Sequence, residues 1–347
     1  MNKLQKIEIN RYRGIKNMIL DDLSNINILI GDNNSGKTSI LEAVQLLSIP
    51  FSTSMIRSVA HQRQRGMLRF ASAPPEENLR WIFPQVDGEQ QSIQLVLFLN
   101  GERKSMTFHY FEEKFLEIPP HLEGVLEAKA DEEIVILEQK VNVDVNGEKR
   151  EISLRPARTE WKEPLYKVEY ISASEHRFLP ASGRDIGKVI LDNKKDELIL
   201  LLQEFDSSIT GLEIIPHKET NNIYIQKNEK ELVPLFSCGD GLQKVLLVAT
   251  AILNTQNGVL LLDEAEVGIH TKMIPVFFEW LSKLSEQHNV TIFLTTHSLE
   301  AVDGILAASK ESLKNLSFYR LEKNKAKRLS GQRMYEMRYD FAMEVRG

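Results

Sequence analysis

The chain of 347 residues contains one cysteine, Cys238. That excludes internal disulfides and any cysteine-based zinc site, and it suits a reducing compartment. No apolar run reaches the ~18 residues that suggest a membrane span. The N-terminus, MNKLQKIEINRYRG, lacks the apolar segment of a signal peptide. A cytoplasmic protein without a membrane partner is expected. A basic excess is also missing. The net charge is −6 and the pI about 5.9, so overall charge does not advertise nucleic acid, which leaves only a local patch to contact it. No internal repeat or low-complexity segment stands out. A hydrophobic fraction of 42% is ample for a substantial core, and the length allows one large domain or two ordinary ones.

What is present centres on residues 25–48, NINILIGDNNSGKTSILEAVQLLS. The apolar run Asn25 to Ile30 has the length and composition of a buried strand. Gly31 to Thr38 fits G-x-x-x-x-G-K-[ST], the P-loop. Helical spacing follows, with Ile40, Leu41, Val44 and Leu47 on one face and Pro50 beyond to stop it. In this context Gly31 and Gly36 let backbone N–H groups turn inward around a phosphate, and the helix N-terminus adds its positive dipole end. Lys37 can reach the outer phosphates, and the Thr38 hydroxyl can ligate Mg²⁺. A nucleoside triphosphate is therefore the expected ligand.

Strand-like alternation covers Leu4 to Tyr12 and returns from Ile15 to Leu20. Asn100-Gly101 and Asn146-Gly147 each sit between strand-like runs, the strongest short hairpin signal. A largely antiparallel, charged region thus fills the middle of the first half, with no identifiable chemistry. Residues 43–75 hold no acid and carry Arg57, Arg63, Arg65 and Arg69. Such a stretch can contact a phosphate backbone, but arginines at this density are ordinary solvated surface, which is the expectation here. Asn193-Lys194-Lys195-Asp196 matches the guanine-reading N-K-x-D. It precedes the acidic strand end described next, the reverse of the GTPase order, and is expected instead to open a helix at 195–205.

The last third carries the chemistry. Val259 to Leu262 are four apolar residues running into Asp263 and Glu264. A P-loop needs a carboxylate for the Mg²⁺ on its phosphates, which suits Asp263, while Glu264 is free to act as general base on the attacking water. Val290 to Thr295 is a further buried strand, with His297 just past its end, where it could sense or stabilise the γ-phosphate. Apolar strands alternating with helices argue a parallel α/β core. The P-loop strand and the strands ending at Asp263 and Thr295 are expected side by side, delivering polar residues at their C-terminal ends.

The order P-loop, F-S-C-G-D-G, LLLDE, TTHS resembles the ATP-binding cassette (ABC) class. Within it the chain is similar to the stand-alone group of RecF, SMC-type heads and the OLD proteins, most of all the OLD-like branch in its Gly239–Lys244 and Asp263–His270 segments. The resemblance implies an α/β P-loop NTPase head of one domain. Its nucleotide-binding core would span 1–50 and 231–347, with an antiparallel β-rich insertion and helical lobe at 51–230. It implies that Gly31, Asp32, Asn33, Asn34, Ser35, Gly36, Lys37, Thr38 and Ser39 hold the phosphates of ATP, that Thr38 and Asp263 serve Mg²⁺, that Glu264 is the catalytic base, and that His297 is the switch histidine. Phe236 to Asp240 falls on the L-S-G-G-[QE] signature, so Ser237 and Gly239 would meet the ATP of a second copy in a homodimer; Cys238 departs from the family's glycine. The resemblance also implies a basic residue near the nucleotide at Arg13 and a glutamine loop, with Gln85, Gln90, Gln91 and Gln94 as candidates.

Two outputs follow from such a switch: control of a separate effector in bacterial defence, which is the expectation, or direct action on DNA in repair or clamping. OLD-like enzymes carry a nuclease module after the ATPase part. Residues 311–347 are too short for one and read as a closing strand and helix, so any cutting is expected of a separate partner.

Overall fold

Every residue of Ile26–Ile30 is buried, and so is every residue of Val259–Leu262. A strand buried on both faces needs cover on both, and alternate side chains enter different cores. Ile26, Ile28, Ile30, Leu260, Leu262, Ile292 and Leu294 join one cluster; Leu29, Val259, Leu261, Phe293 and Tyr319 join the other.

The computed structural model describes residues 4–64, 75–85, 91–116, 135–155, 163–178, 183–217, 220–228, 231–341 and 343–345. In chain order the strands are β1 (Leu4–Tyr12), β2 (Ile15–Leu20), β3 (Ile26–Ile30), β4 (Ser92–Leu99), β5 (Glu102–Leu116), β6 (Val135–Val145), β7 (Glu148–Ser153), β8 (Val168–Ile171), β9 (Ile209–His217), β10 (Thr220–Lys227), β11 (Glu231–Pro234), β12 (Val259–Leu262), β13 (Thr291–Thr296), β14 (Leu316–Glu322) and β15 (Lys325–Ser330). The helices are α1 (Lys37–Ser48), α2 (Thr53–His61), α3 (Pro75–Arg80), α4 (Glu175–Phe178), α5 (Gly183–Leu191), α6 (Lys195–Gln203), α7 (Asp240–Asn254), α8 (Ile274–Gln287), α9 (Leu299–Ala308) and α10 (Gly331–Tyr335).

The central sheet has the order β15-β14-β3-β13-β12-β8. All its pairings are parallel except β14 with β15. The P-loop strand β3 therefore neighbours β13, and β13 neighbours β12, so three strand ends converge. One face of this sheet packs on residues of α5 to α9. The other packs on α1, which is sandwiched against the antiparallel sheet β2-β1-β4-β5-β6-β7. The smaller sheet β11-β10-β9 lies on the α5 to α9 side.

Both Asn-Gly hairpins form, joining β4 to β5 and β6 to β7. All four turn residues have positive φ, between 52° at Asn146 and 94° at Gly147, the signature of a type I′ turn. The Asn193 match opens α6, as expected. The short strand β8 lies inside the 51–230 stretch, yet it pairs with β12 at the edge of the central sheet. Residues 316–330 form a hairpin rather than a single strand, and its first strand pairs with β3. Among the described residues no helix is long and apolar enough to cross a membrane.

Candidate nucleotide site

The loop between β3 and α1 is bent by three residues of positive φ: Gly31 at 147°, Asn34 at 63° and Gly36 at 96°. A Cβ on Gly31 would come within 2.8 Å of the Leu321 carbonyl oxygen, so a side chain there collides with the hairpin strand β14. Gly36 caps α1 without any side-chain hydrogen bond, which leaves the first N–H groups of the helix available to an anion. Lys37 Nζ donates to the carbonyls of Gly31 at 2.6 Å and Asp32 at 2.8 Å. Burial pulls the Lys37 pKa down, opposed by the charge of Asp263, and an arriving phosphate would push it back up.

Asp263 follows β12 and accepts three hydroxyls. Thr38 Oγ1 donates to Oδ2 at 3.0 Å, Tyr170 Oη to Oδ2 at 3.0 Å, and Thr295 Oγ1 to Oδ1 at 2.6 Å. Burial, with the nearby Asp263 charge, pushes the Tyr170 phenol far above its usual range, so it stays a donor. The backbone then turns sharply. Glu264 sits at φ 45°, left-handed for a residue that pays for it, and its N–H is held by Thr295 Oγ1 at 2.7 Å. That turn aims the Glu264 carboxylate into the cleft. His297 Nδ1 stands 3.8 Å from Glu264 Oε1 and 3.9 Å from Glu266 Oε1.

One cleft of about 1160 Å³ is lined by residues 32–39, without Gly31, together with Asp263, Glu264 and Thr295. Beside the loop its wall is Ile15, Met18 and the turn Leu321–Asn324. His297 is not part of the lining. Ser237 and Gly239 are not either; they lie on the exposed segment before α7, where Ser237 Oγ donates to the Pro234 carbonyl at 2.7 Å and Phe236 is 78% exposed. The structure thus brings together the P-loop and both acids, and leaves the signature segment elsewhere. Cys238 has φ −77° and ψ 153°, an ordinary extended conformation that requires no glycine.

Two arginines line the cleft, and of these Arg63 belongs to the stretch expected to be solvated surface. Arg63 Nε donates to Glu42 Oε1 at 2.7 Å and its Nη2 to Ser39 Oγ at 2.8 Å, so it is a wall of the site and not free surface. Arg13 Nε donates to Glu42 Oε2 at 2.7 Å, and Arg13 also lines the cleft. Glu42 is fully buried, and Tyr12 adds a third donor at 3.2 Å. The clue was the single acid on α1. Arg65 and Arg69 lie outside the described residues, as does Gln90. Gln85 spends its amide on the carbonyls of Arg80 and Phe83, and Gln94 is exposed on β4; neither lines the cleft. Gln62, not singled out from sequence, is buried without a hydrogen bond of good geometry and close enough to act on the Tyr170 hydroxyl.

Because Glu42 alone neutralises two guanidinium groups, Glu42→Ala should destabilise the fold by about 2–3 kcal/mol, below the ~3–5 of a sealed pair since Arg63 can turn to water. Urea denaturation reads this directly. An unchanged midpoint would mean the arginines need no partner.

A glycine cradle at a helix start, a lysine, and an acid at the end of a nearby parallel strand define a P-loop nucleoside-triphosphatase core. The fold around it matches the ABC-type heads of SMC and RecF. Over residues 26–303 the chain matches the family described as "AAA domain, putative AbiEii toxin, Type IV TA system", and it belongs to that family of P-loop ATPases. It is similar to an ATP/GTP phosphatase of Helicobacter pylori, 22% identical over 86% of this chain and 86% of that one. It is also similar to the DNA replication and repair protein RecF of Rickettsia conorii, 23% identical over 86% of this chain and 96% of that one. Among solved structures, RecF of the RecFOR pathway with an ATP analogue aligns with a TM-score of 0.50 at 13% identity, covering 95% of this chain and 98% of that one. The Pyrococcus furiosus Smc head bound to the C-terminal domain of ScpA aligns with a TM-score of 0.50 at 10% identity, covering 99% and 100%. At such identities the likeness speaks for the fold alone.

Proposed function

We propose that this chain is an ATP-hydrolysing switch of the RecF and SMC kind, in which two copies close around ATP, act on DNA, and reopen on hydrolysis. The observation that carries the proposal is a division of labour. The P-loop, Asp263 and Glu264 share one cleft, while Ser237 and Gly239 lie on an exposed segment outside it, as a signature meant for a second copy's nucleotide would. Residues 31–39 would hold the phosphates, with Lys37 on the outer ones. Glu264 would take the proton of the attacking water, and His297 would answer to the γ-phosphate from beside it. A nucleotide bridging two protomers binds the dimer better than the monomer, which is how ATP can drive closure.

Magnesium fits this site as a passenger of the nucleotide. Asp263 and Thr38 offer hard oxygen ligands, and no cluster of three His, Cys, Asp or Glu able to hold a metal occurs among the described residues. Mg²⁺ characteristically takes one or two protein oxygens and completes its shell with phosphates and water. It would supply charge neutralisation on the phosphates.

The nucleotide-binding core would comprise 1–50 and 231–347, with 51–230 as insertion and lobe lending β8 to the central sheet. Placement in the OLD-like branch rests on the Gly239–Lys244 and Asp263–His270 segments. Direct action on DNA is favoured by the relatives named RecF. The family's description names a toxin system, which favours control of a separate effector as the second alternative.

Hydrolysis by the purified chain, measured with and without linear and plasmid DNA, separates the two. DNA action predicts stimulation that fades as salt releases phosphate contacts. Rates indifferent to DNA at low salt, with a protein co-purifying from the native source, would favour the effector.

A further inference from the structure

Behind the catalytic turn lies a buried polar cluster that the chemistry above does not use. Lys244, in the second turn of α7, is fully buried, and its Nζ has no hydrogen-bond partner among the described residues. Burial pushes its pKa down to about 8, and Glu266 is the carboxylate that opposes this most. Glu266 is itself half-used. Its Oε1 accepts from Thr296 Oγ1 at 2.7 Å and stands 3.9 Å from His297, while its buried Oε2 has no hydrogen-bond partner among the described residues. A buried ammonium and a buried carboxylate oxygen, each unsatisfied and within electrostatic reach of the other, are costly unless some state of the protein brings them together.

The elements carrying these two groups are otherwise gripped. Arg177 of α4 holds Asp240, the first residue of α7, with Nε to Oδ2 at 2.8 Å. The neighbouring His176 is fully buried, and a Cβ on Gly268 would lie 2.6 Å from its Nε2, so the turn after Asp263 packs directly on α4. The signature segment and the catalytic turn therefore meet at α4, and a Cβ on Gly241 would lie 3.5 Å from the Gly268 carbonyl oxygen, with Lys244 one turn further along α7.

We propose that Lys244 is a positioning residue that closes onto Glu266 when the signature segment engages a nucleotide, and so sets the catalytic turn of its own protomer. This role presupposes the shared nucleotide site proposed above. In that arrangement the signature touches the partner copy's ATP while Glu264 serves the ATP of its own chain. Lys244 then joins two different nucleotides, and occupancy of one site promotes hydrolysis at the other. A coupling of this kind is worth 5–150-fold in typical cases.

The test measures hydrolysis against ATP concentration for the full chain, Lys244→Met, Lys244→Arg and Glu266→Gln. The wild-type curve is expected to be sigmoidal. Lys244→Met, which keeps the length of the side chain, should lower kcat by about tenfold or more and give a hyperbolic curve, with nucleotide affinity changed less than about threefold. Glu266→Gln should do the same, and combining it with Lys244→Met should cost no more than either alone. Lys244→Arg should restore part of the sigmoidicity, which a purely structural filler would not. Should Lys244→Met fail to fold, Glu266→Gln against the wild type decides by the same two readouts. Sigmoidal curves of undiminished kcat in the variants, or a hyperbolic wild type, overturn the link. Ser237→Arg, measured alongside, tells the causes apart: if it leaves hydrolysis intact, the shared site itself is what failed.

Discussion

Glu264→Gln is expected to bind ATP as the wild type does and to lose turnover by ~10²–10⁴-fold, the usual range for a general base. The amide keeps the shape of the side chain and removes only its ability to take a proton. The expectation rests on the turn that follows β12. There the φ of 45° at Glu264 and the hydrogen bond from its N–H to Thr295 aim the carboxylate into the cleft, while Asp263 is occupied by three hydroxyl donors. The two adjacent acids have thus been given different environments, which is how one can serve the metal and the other the water. Steady-state hydrolysis beside nucleotide titration checks both halves. Normal turnover in the variant would remove Glu264 from the role of base and point to a different group around the water.

The second large effect concerns complementation. Lys37→Ala leaves the phosphate charge without its ammonium, and Ser237→Arg places a bulky cation on the exposed signature segment. Neither variant should hydrolyse ATP alone. Mixed together they should regain activity, because one composite site then pairs an intact P-loop with an intact signature. For random pairing at equal amounts, about half of the dimers are hybrids with one working site of two, so roughly a quarter of the wild-type rate is expected if sites act independently. Coupling between the sites through Lys244 would hold the rate below that. Continued inactivity of a mixture in which both chains co-assemble would count strongly against a shared site.

Much of this site was legible in the sequence because its parts are local. Gly31, Gly36 and Lys37 sit within one turn, and the run of Val259 to Leu262 into Asp263 announces a buried strand ending in acids. The Asn-Gly turns were equally plain, since a type I′ turn places its demand on two adjacent residues. What escaped depends on partners distant in sequence. Arg63 looked like solvated surface until α2 and the 3₁₀ turn after it brought it to Glu42, 21 residues away. Gln62 becomes interesting only because β8 delivers Tyr170 next to Asp263, and the four residues of β8 carry no pattern that would place them in a parallel sheet. The hairpin Leu316–Ser330 is similar: its strands are readable, but their pairing with β3, and hence the placing of Leu321 against Gly31, is a long-range fact. The same holds for Lys244 and Glu266, whose types invite a surface assignment and whose burial comes from the packing of α4 and α7.

The central claim is that ATP closes two copies of the chain. Sedimentation velocity on the Glu264→Gln variant tests it most directly, because that variant should bind ATP and be unable to reset. With ATP and Mg²⁺ it should sediment as a dimer, and it should return to the monomer with ADP or when Ser237→Arg is added to the same chain. A Glu264→Gln chain that binds ATP and still sediments as a monomer at concentrations well above its nucleotide affinity would contradict the account.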